Sequence, residues 1–185
     1  RHEALDGVED ALGELGLQVR VDSHLARAGA RTEARGGPPS IQSAYPATPR
    51  RRPAVSTVVD ASVLVAATTD AGPEGTWAED ILAEGEIVAP HLVLVEATNI
   101  LRRLERSKQL TLLEASAAQR DLVSIDMLLV SFEPFAERVW ELRRNISSYD
   151  AWYVAVAEAF NLPLATLDRR LSRASGPTCR FLVPR

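Results

Sequence analysis

Cysteine is almost absent from this chain of 185 residues. Cys179 stands alone, so no internal disulfide can form. That fits a reducing, cytoplasmic setting. No run of about 18 apolar residues free of charge occurs, so no membrane-spanning helix is expected. The N-terminus also lacks the charged and apolar regions of a signal peptide. A surplus of positive charge is missing as well. The net charge of −4 argues against a protein that coats nucleic acid by bulk electrostatics, though not against a nuclease with a local basic rim. Lysine is limited to Lys108, and methionine to Met127.

What is present suffices for a full core. The chain is 46% hydrophobic and 25% charged, and its length suits one domain with an appendage. Its charge is unevenly placed. Residues 1–54 hold 8 basic and 7 acidic side chains, which leaves 21 − 8 = 13 basic and 25 − 7 = 18 acidic for residues 55–185. The later portion is therefore the acidic one, at 13 − 18 = −5.

Residues 1–54 are poor in large apolar side chains. Gly36-Gly37-Pro38-Pro39, Pro46, Pro49 and Pro53 deny both helix and central strand, so a low-order extension is expected. Within it, Leu5, Val8, Leu12 and Leu15 recur at helical spacing and allow a short helix. The run Arg50-Arg51-Arg52 reads as a solvated linker that RNA could also touch. The chain opens on Arg rather than Met, and Val55, just before the first apolar run, would be a natural start. The expectation is that residues 1–54 lie outside the functional domain, which spans 55–185.

From Val55 onward, short apolar strands alternate with helices. The predicted strands are "TVVD", "EIVAP", "LVSF", "PLATLD" and "RFLV". The predicted helices are "ASVLVAATT", "EGTWAEDILAEG", "HLVLVEATNILRRLERS", "LLEASAAQRDLVSIDML", "PFAERVWELRRNI", "SSYDAWYVAVAEAF" and the short "RRLSR". This alternation predicts an α/β fold with a mostly parallel sheet covered on both faces, a three-layer sandwich.

In such sheets, reactive groups gather at the carboxyl ends of the strands. Two predicted strands end on aspartate, "VVD" at Asp60 and "LATLD" at Asp168. Glu96 and Asp150 lie early in helices that should pack on the same sheet. Each has a plainer reading. Asp60 and Asp168 are placed to cap the helices that follow them. Ser147 and Asp150 have the spacing of a capping box. Glu96 lies beside an apolar stripe with Arg103 two turns on, an available ion-pair partner.

Taken together, four carboxylates at one end of a sheet are hard to keep ionised. At about 5 Å and an effective dielectric near 20, each pair repels by roughly 3 kcal/mol. Raised pKa values or a bound cation would relieve this. An all-oxygen set suits Mg²⁺ or Mn²⁺, and no His or Cys near the motifs suggests zinc. His91, the nearest by sequence, marks a helix start.

The stretches "VVDASVLVAA", "LVLVEATNIL", "SYDAWYVAVA" and "LATLDRRL" resemble the four acidic motifs of PIN-domain ribonucleases, in the family's order. They are most similar to the VapC toxins of bacterial toxin–antitoxin pairs. The intervals, 36 residues from Asp60 to Glu96, 54 to Asp150 and 18 to Asp168, also agree. The likeness covers Val55 to Arg185 and says nothing of residues 1–54.

The resemblance implies that Asp60 and Asp150 are the principal Mg²⁺ ligands, with Mn²⁺ as a substitute. Glu96 and Asp168 would complete the acidic pocket, directly or through water. Ser62 and Thr166 match supporting hydroxyls, and Asn99 a polar helper, although each is also an ordinary residue of its element. The implied reaction is metal-assisted hydrolysis of an RNA phosphodiester, leaving a 5′-phosphate and a 3′-hydroxyl. Arg103, Arg169 and Arg170, with their neighbours Arg102, Arg143, Arg144 and Arg173, could hold the backbone of a tRNA or rRNA substrate. The implied partners are a VapB-type antitoxin, lodged between the "GTWAEDILAEG" and "ATNILRRLERS" helices, and a second copy of the chain. Trp77 would be either an interface anchor or a core residue. A PIN nuclease of RNA maturation and a non-catalytic PIN platform remain as alternatives. A haloacid-dehalogenase phosphatase would need an Asp where Ser62 stands. A receiver domain would need an acidic pair before Asp60 and a later lysine that Lys108 does not supply.

Overall fold

The structure, a computed structural model, describes residues 56–185. The expectations set on residues 1–54, including the Arg50–Arg52 run, lie outside it. In chain order the elements are β1 (Thr57–Val59), α1 (Ala61–Thr69), α2 (Pro73–Ala83), β2 (Ile87–Pro90), α3 (Val93–Arg106) and α4 (Leu112–Ser124). Then follow β3 (Leu128–Val130), a 3₁₀ turn (Glu133–Phe135), α5 (Ala136–Leu142) and α6 (Ser148–Phe160). The chain ends with β4 (Leu164–Ala165), a second 3₁₀ turn (Leu171–Arg173) and β5 (Phe181–Leu182).

The strands form one sheet in the order β3-β2-β1-β4-β5, and each of the four pairings is parallel. The chain steps outward from β1 to β3, then returns to the other side of β1 as β4. Right-handed crossovers place α1–α4 on one face and α5–α6 on the other. Packing agrees: α1 meets α2, α3 and α4, whereas α6 lies on β1, β2 and β4 and against α5. The reversal of strand order falls between β1 and β4, where such sheets open a crevice at their carboxyl ends.

Local chemistry sets the helix ends. Thr111 and Glu114 cap α4 reciprocally, a full capping box. Ser147 caps α6, and Asn161 closes it in the left-handed region at φ 53°, which a short polar side chain tolerates. α3 buries Val93, Ala97 and Leu101, one residue per turn. α1 and α6 are buried on most sides, which is why they are apolar almost throughout.

Four elements differ in their bounds or type from the sequence expectation. The "LLEASAAQRDLVSIDML" helix stops at Ser124, because Ile125 turns to extended backbone at ψ 122°. The next strand therefore begins earlier, at Leu128, and ends at Val130 rather than Phe132. The "PFAERVWELRRNI" helix begins as a 3₁₀ turn around Pro134 and becomes α-helical only from Ala136. "RRLSR" is likewise a single 3₁₀ turn.

One ion-pair cluster ties the β5 edge to the helical layer. Arg138 donates Nε to Glu158 Oε2 at 2.7 Å, Nη1 to Glu141 Oε2 at 2.8 Å and Nη2 to the Gly176 carbonyl at 3.0 Å. The Thr178 N–H and hydroxyl donate to Glu158 Oε1. Burial pushes the Glu158 carboxyl up, but the Arg138 and Thr178 hydrogen bonds outweigh it and hold the group below the usual carboxylate range. Arg138→Ala should cost about 2 kcal/mol at pH 7, since a charge-assisted pair is lost around a largely buried carboxylate. A depressed carboxylate stabilises above its unfolded value and loses that contribution as pH falls through its folded one. Urea denaturation at pH 7 and pH 4 should therefore show the difference between variant and wild type shrinking in acid.

Candidate active site

The β1–β4 register builds the centre of the site. Val58 pairs with Leu164 and Val59 with Ala165, so Asp60 and Thr166, each one residue further on, emerge side by side. The Asp60 N–H donates to the Ala165 carbonyl at 3.2 Å. The Thr166 hydroxyl donates to Asp60 Oδ2. Oδ1 accepts from the Ser62 N–H at 2.9 Å, the Ser62 hydroxyl at 2.5 Å and the Val63 N–H at 3.2 Å. Asp60 is thus the N-cap of α1, as its plainer reading held, and it also faces the crevice's other wall. It is only 8% exposed.

The same hydroxyls reach the last acidic motif. Thr166 Oγ1 accepts from the Asp168 N–H at 2.9 Å, and Ser62 Oγ from the Leu167 N–H at 3.0 Å. Asp168 in turn accepts from the N–H groups of Arg170 at 2.7 Å and Leu171 at 3.3 Å, bracing the bend that leads into the 3₁₀ turn while its side chain stays exposed. Ser62 and Thr166 are therefore structural parts of the Asp60–Asp168 junction.

Glu96 arrives from the first turn of α3, half-buried. It does not pair with Arg103. Its Oε2 instead accepts from the Tyr153 hydroxyl at 2.7 Å, a bond that joins α3 to α6. Burial first, then the Glu96 and Asp60 carboxylates, push the Tyr153 phenol above its ordinary value, so it stays a protonated donor. Tyr153 escaped the sequence reading. Its signal was its place three residues after Asp150, on the same side of one helix.

Asp150 lies in the first turn of α6, half-buried. Its Oδ2 accepts from the Ser147 hydroxyl at 2.8 Å while its N–H donates to Ser147 Oγ at 3.1 Å. Ser147 is therefore the cap, and the Asp150 carboxylate holds the Ser147 hydroxyl and not the cap's backbone N–H, so the reciprocal box is only half made. The helpers fare unevenly. Asn99 is exposed, and its Oδ1 accepts from Arg102 Nε and Nη2 at 3.2 and 3.0 Å, away from Glu96. Arg103, Arg169 and Arg170 are exposed, and Arg169 donates to the Pro184 carbonyl at 3.0 Å. Trp77 packs, partly buried, against the core.

The electrostatics of this end of the sheet are one-sided. Burial pushes the Asp60 carboxyl up from its ordinary 3.8, and hydrogen bonds from Ser62, Thr166 and Val63 only partly counter it. Among the described residues the ion pairs belong to Arg138, so no cationic side chain neutralises Asp60, Glu96, Asp150 or Asp168. Nor do three Asp, Glu, His or Cys side chains of the described residues converge into a ready cage for an ion. This donor set fits a hard cation held by one or two carboxylates, with water completing its shell, as Mg²⁺ prefers. It does not fit a closed site of the zinc type.

A family model described as PIN domain matches residues 57–177. Ribonuclease VapC9 of Mycobacterium tuberculosis is 40% identical over 132 residues, covering 69% of this chain and 98% of that protein. Among solved structures, PAE2754 from Pyrobaculum aerophilum is similar with a TM-score of 0.52 and 25% identity, over 69% of this chain and 83% of the other. VapBC2 from Rickettsia felis, solved with a DNA fragment from its promoter, has a TM-score of 0.51 at 16% identity, over 71% of this chain and 100% of the other. That last likeness is one of fold alone. No helix of the described residues is long and apolar enough to cross a membrane.

Proposed function

The chain belongs to the PIN-domain family, among its VapC ribonucleases, and on that premise we propose that it is a divalent-metal-dependent endoribonuclease, the toxin of a toxin–antitoxin pair. One observation carries the reading. Asp60 is buried at the β1–β4 reversal and tied to Asp168 through Thr166, and among the described residues no cationic side chain pairs with Asp60, Glu96, Asp150 or Asp168. A structural role would leave that charge uncompensated, whereas a hard cation relieves it.

Asp60 and Asp150 would hold the ion, with Glu96 and Asp168 acting on it directly or through water. When bound, Mg²⁺ or Mn²⁺ supplies an activated water and neutralises charge on the phosphodiester. The protein's own part is orientation. Three donors to Oδ1 and the Thr166 hydroxyl on Oδ2 fix the Asp60 carboxylate in one rotamer, leaving a lone pair of Oδ2 open. Ser147 fixes Asp150 in the same way. Exposed arginines at the rim, Arg103, Arg169 and Arg170, would take the RNA phosphates. A VapB-type antitoxin would cover the groove between α2 and α3 and so close off the acidic end, with a second copy of the chain completing the assembly.

Cleavage of total cellular RNA by antitoxin-free protein tests this directly. With Mg²⁺ or Mn²⁺, cutting at discrete sites is expected, abolished by EDTA and by Asp150→Asn. Equal cutting in EDTA, or by the variant, would sink the metal-site reading. No cutting by the wild type would favour a non-catalytic PIN platform.

A further inference from the structure

Tyr153 is the largest side chain of the core to carry a polar tip into the acidic site. It is 2% exposed, and its ring is held among the buried residues of α6. Its hydroxyl donates to Glu96 Oε2 at 2.7 Å. Beyond the effect of burial, the phenol also feels the charge of the Asp60 carboxylate, which with Glu96 pushes it up. One phenol therefore joins α6, which carries it, to α3 through Glu96, close enough to Asp60 to feel its charge. Among the described residues the Glu96 carboxylate has no other hydrogen-bond partner. A glutamate on a half-buried helix face has three side-chain torsions to lose, and a rigid aromatic donor takes up that freedom in advance.

We propose that Tyr153 is a positioning residue: it fixes the Glu96 carboxylate relative to Asp60, committing Oε2 to the phenol and leaving Oε1 for the cation. This rests on the metal-site reading above. The role is distinct from packing, because a phenylalanine would fill the same space without making the bond. Partners that orient a metal-binding side chain typically contribute 10–100-fold in affinity.

The test is Mn²⁺ affinity, read by electron paramagnetic resonance on the full chain in four forms: wild type, Tyr153→Phe, Glu96→Gln and the double variant. Tyr153→Phe should weaken Mn²⁺ binding about 10-fold while the metal-free melting temperature stays close to wild type. In the Glu96→Gln background the same change should lower affinity less than about 2-fold, because the residue it acts through is already neutralised. RNA cleavage should fall in kcat with KM little changed. Wild-type affinity in Tyr153→Phe would overturn the inference alone. So would an equal loss with and without Glu96, which would mark a general structural effect. Failure of the wild type to bind Mn²⁺ would overturn the metal-site reading and this inference with it.

Discussion

Asp60→Asn should silence RNA cleavage and, in the absence of metal, make the protein harder to unfold. The two effects share one cause. Asp60 sits at the strand end with its carboxyl pushed above 3.8 by burial, and the hydrogen bonds from Ser62, Thr166 and Val63 fail to restore it. For an acid whose folded value exceeds its unfolded one, stability is fully present below the unfolded value and is lost as pH rises through the folded value. As pH rises through the folded value, the metal-free wild type must therefore ionise a buried carboxylate, at a cost. Asparagine keeps an oxygen for the donors of Ser62 and Val63 and removes the charge. Cleavage should drop on the order of 10²–10³-fold or more, as for other groups that stabilise developing charge. Melting curves from pH 4 to pH 8 in EDTA should show the variant gaining on the wild type as pH rises. Added Mg²⁺ should then raise the melting temperature of the wild type and leave the variant where it was. A variant less stable than wild type at pH 8 in EDTA would mean that Asp60 serves the fold as a cap, not the site.

Gly75→Ala should be the most damaging small change in the domain. α2 begins with Pro73, and the turn before it is held by Asp70, whose carboxylate accepts from the Gly72 N–H at 2.8 Å and the Gly75 N–H at 3.0 Å. That turn brings the Asp70 backbone onto the face of Gly75. A Cβ at residue 75 would lie 1.7 Å from the Asp70 carbonyl oxygen and 2.6 Å from its carbon. Backbone cannot swing aside as a side-chain tip can. The connection from α1 to α2 must therefore shift, at a cost of about 3 kcal/mol or more. Guanidinium denaturation should show a midpoint well below wild type with a similar slope. Gly72→Ala meets only the tip of the Asp70 side chain, at 3.0 Å, and should be far milder. Equal effects of the two changes would refute the steric account.

Much of the local structure around the candidate site was legible because it obeys local rules. A carboxylate at the end of an apolar run, followed by a helix, identified Asp60. The spacing of Ser147 and Asp150 identified a cap that the structure retains. Other features depend on residues distant in sequence. The pairing of Asp60 with Thr166 bridges 106 positions, and that of Glu96 with Tyr153 bridges 57. Arg103 offered Glu96 a partner at helical spacing, yet the carboxylate turned instead to a donor from the other side of the sheet. Asn99 was drawn off by Arg102, a choice between near neighbours that sequence spacing does not rank.

By itself, then, the sequence determined the element types and the parallel α/β class, because strand and helix periodicities and caps are set within a few residues. Only the tertiary structure decided the register that seats Thr166 on Asp60, the choice of Tyr153 over Arg103 for Glu96, and the close approach at Gly75. Those are contacts between surfaces. Their partners are fixed when the layers pack, and a phenol buried against a carboxylate looks, along the chain, like any other aromatic residue of an apolar helix.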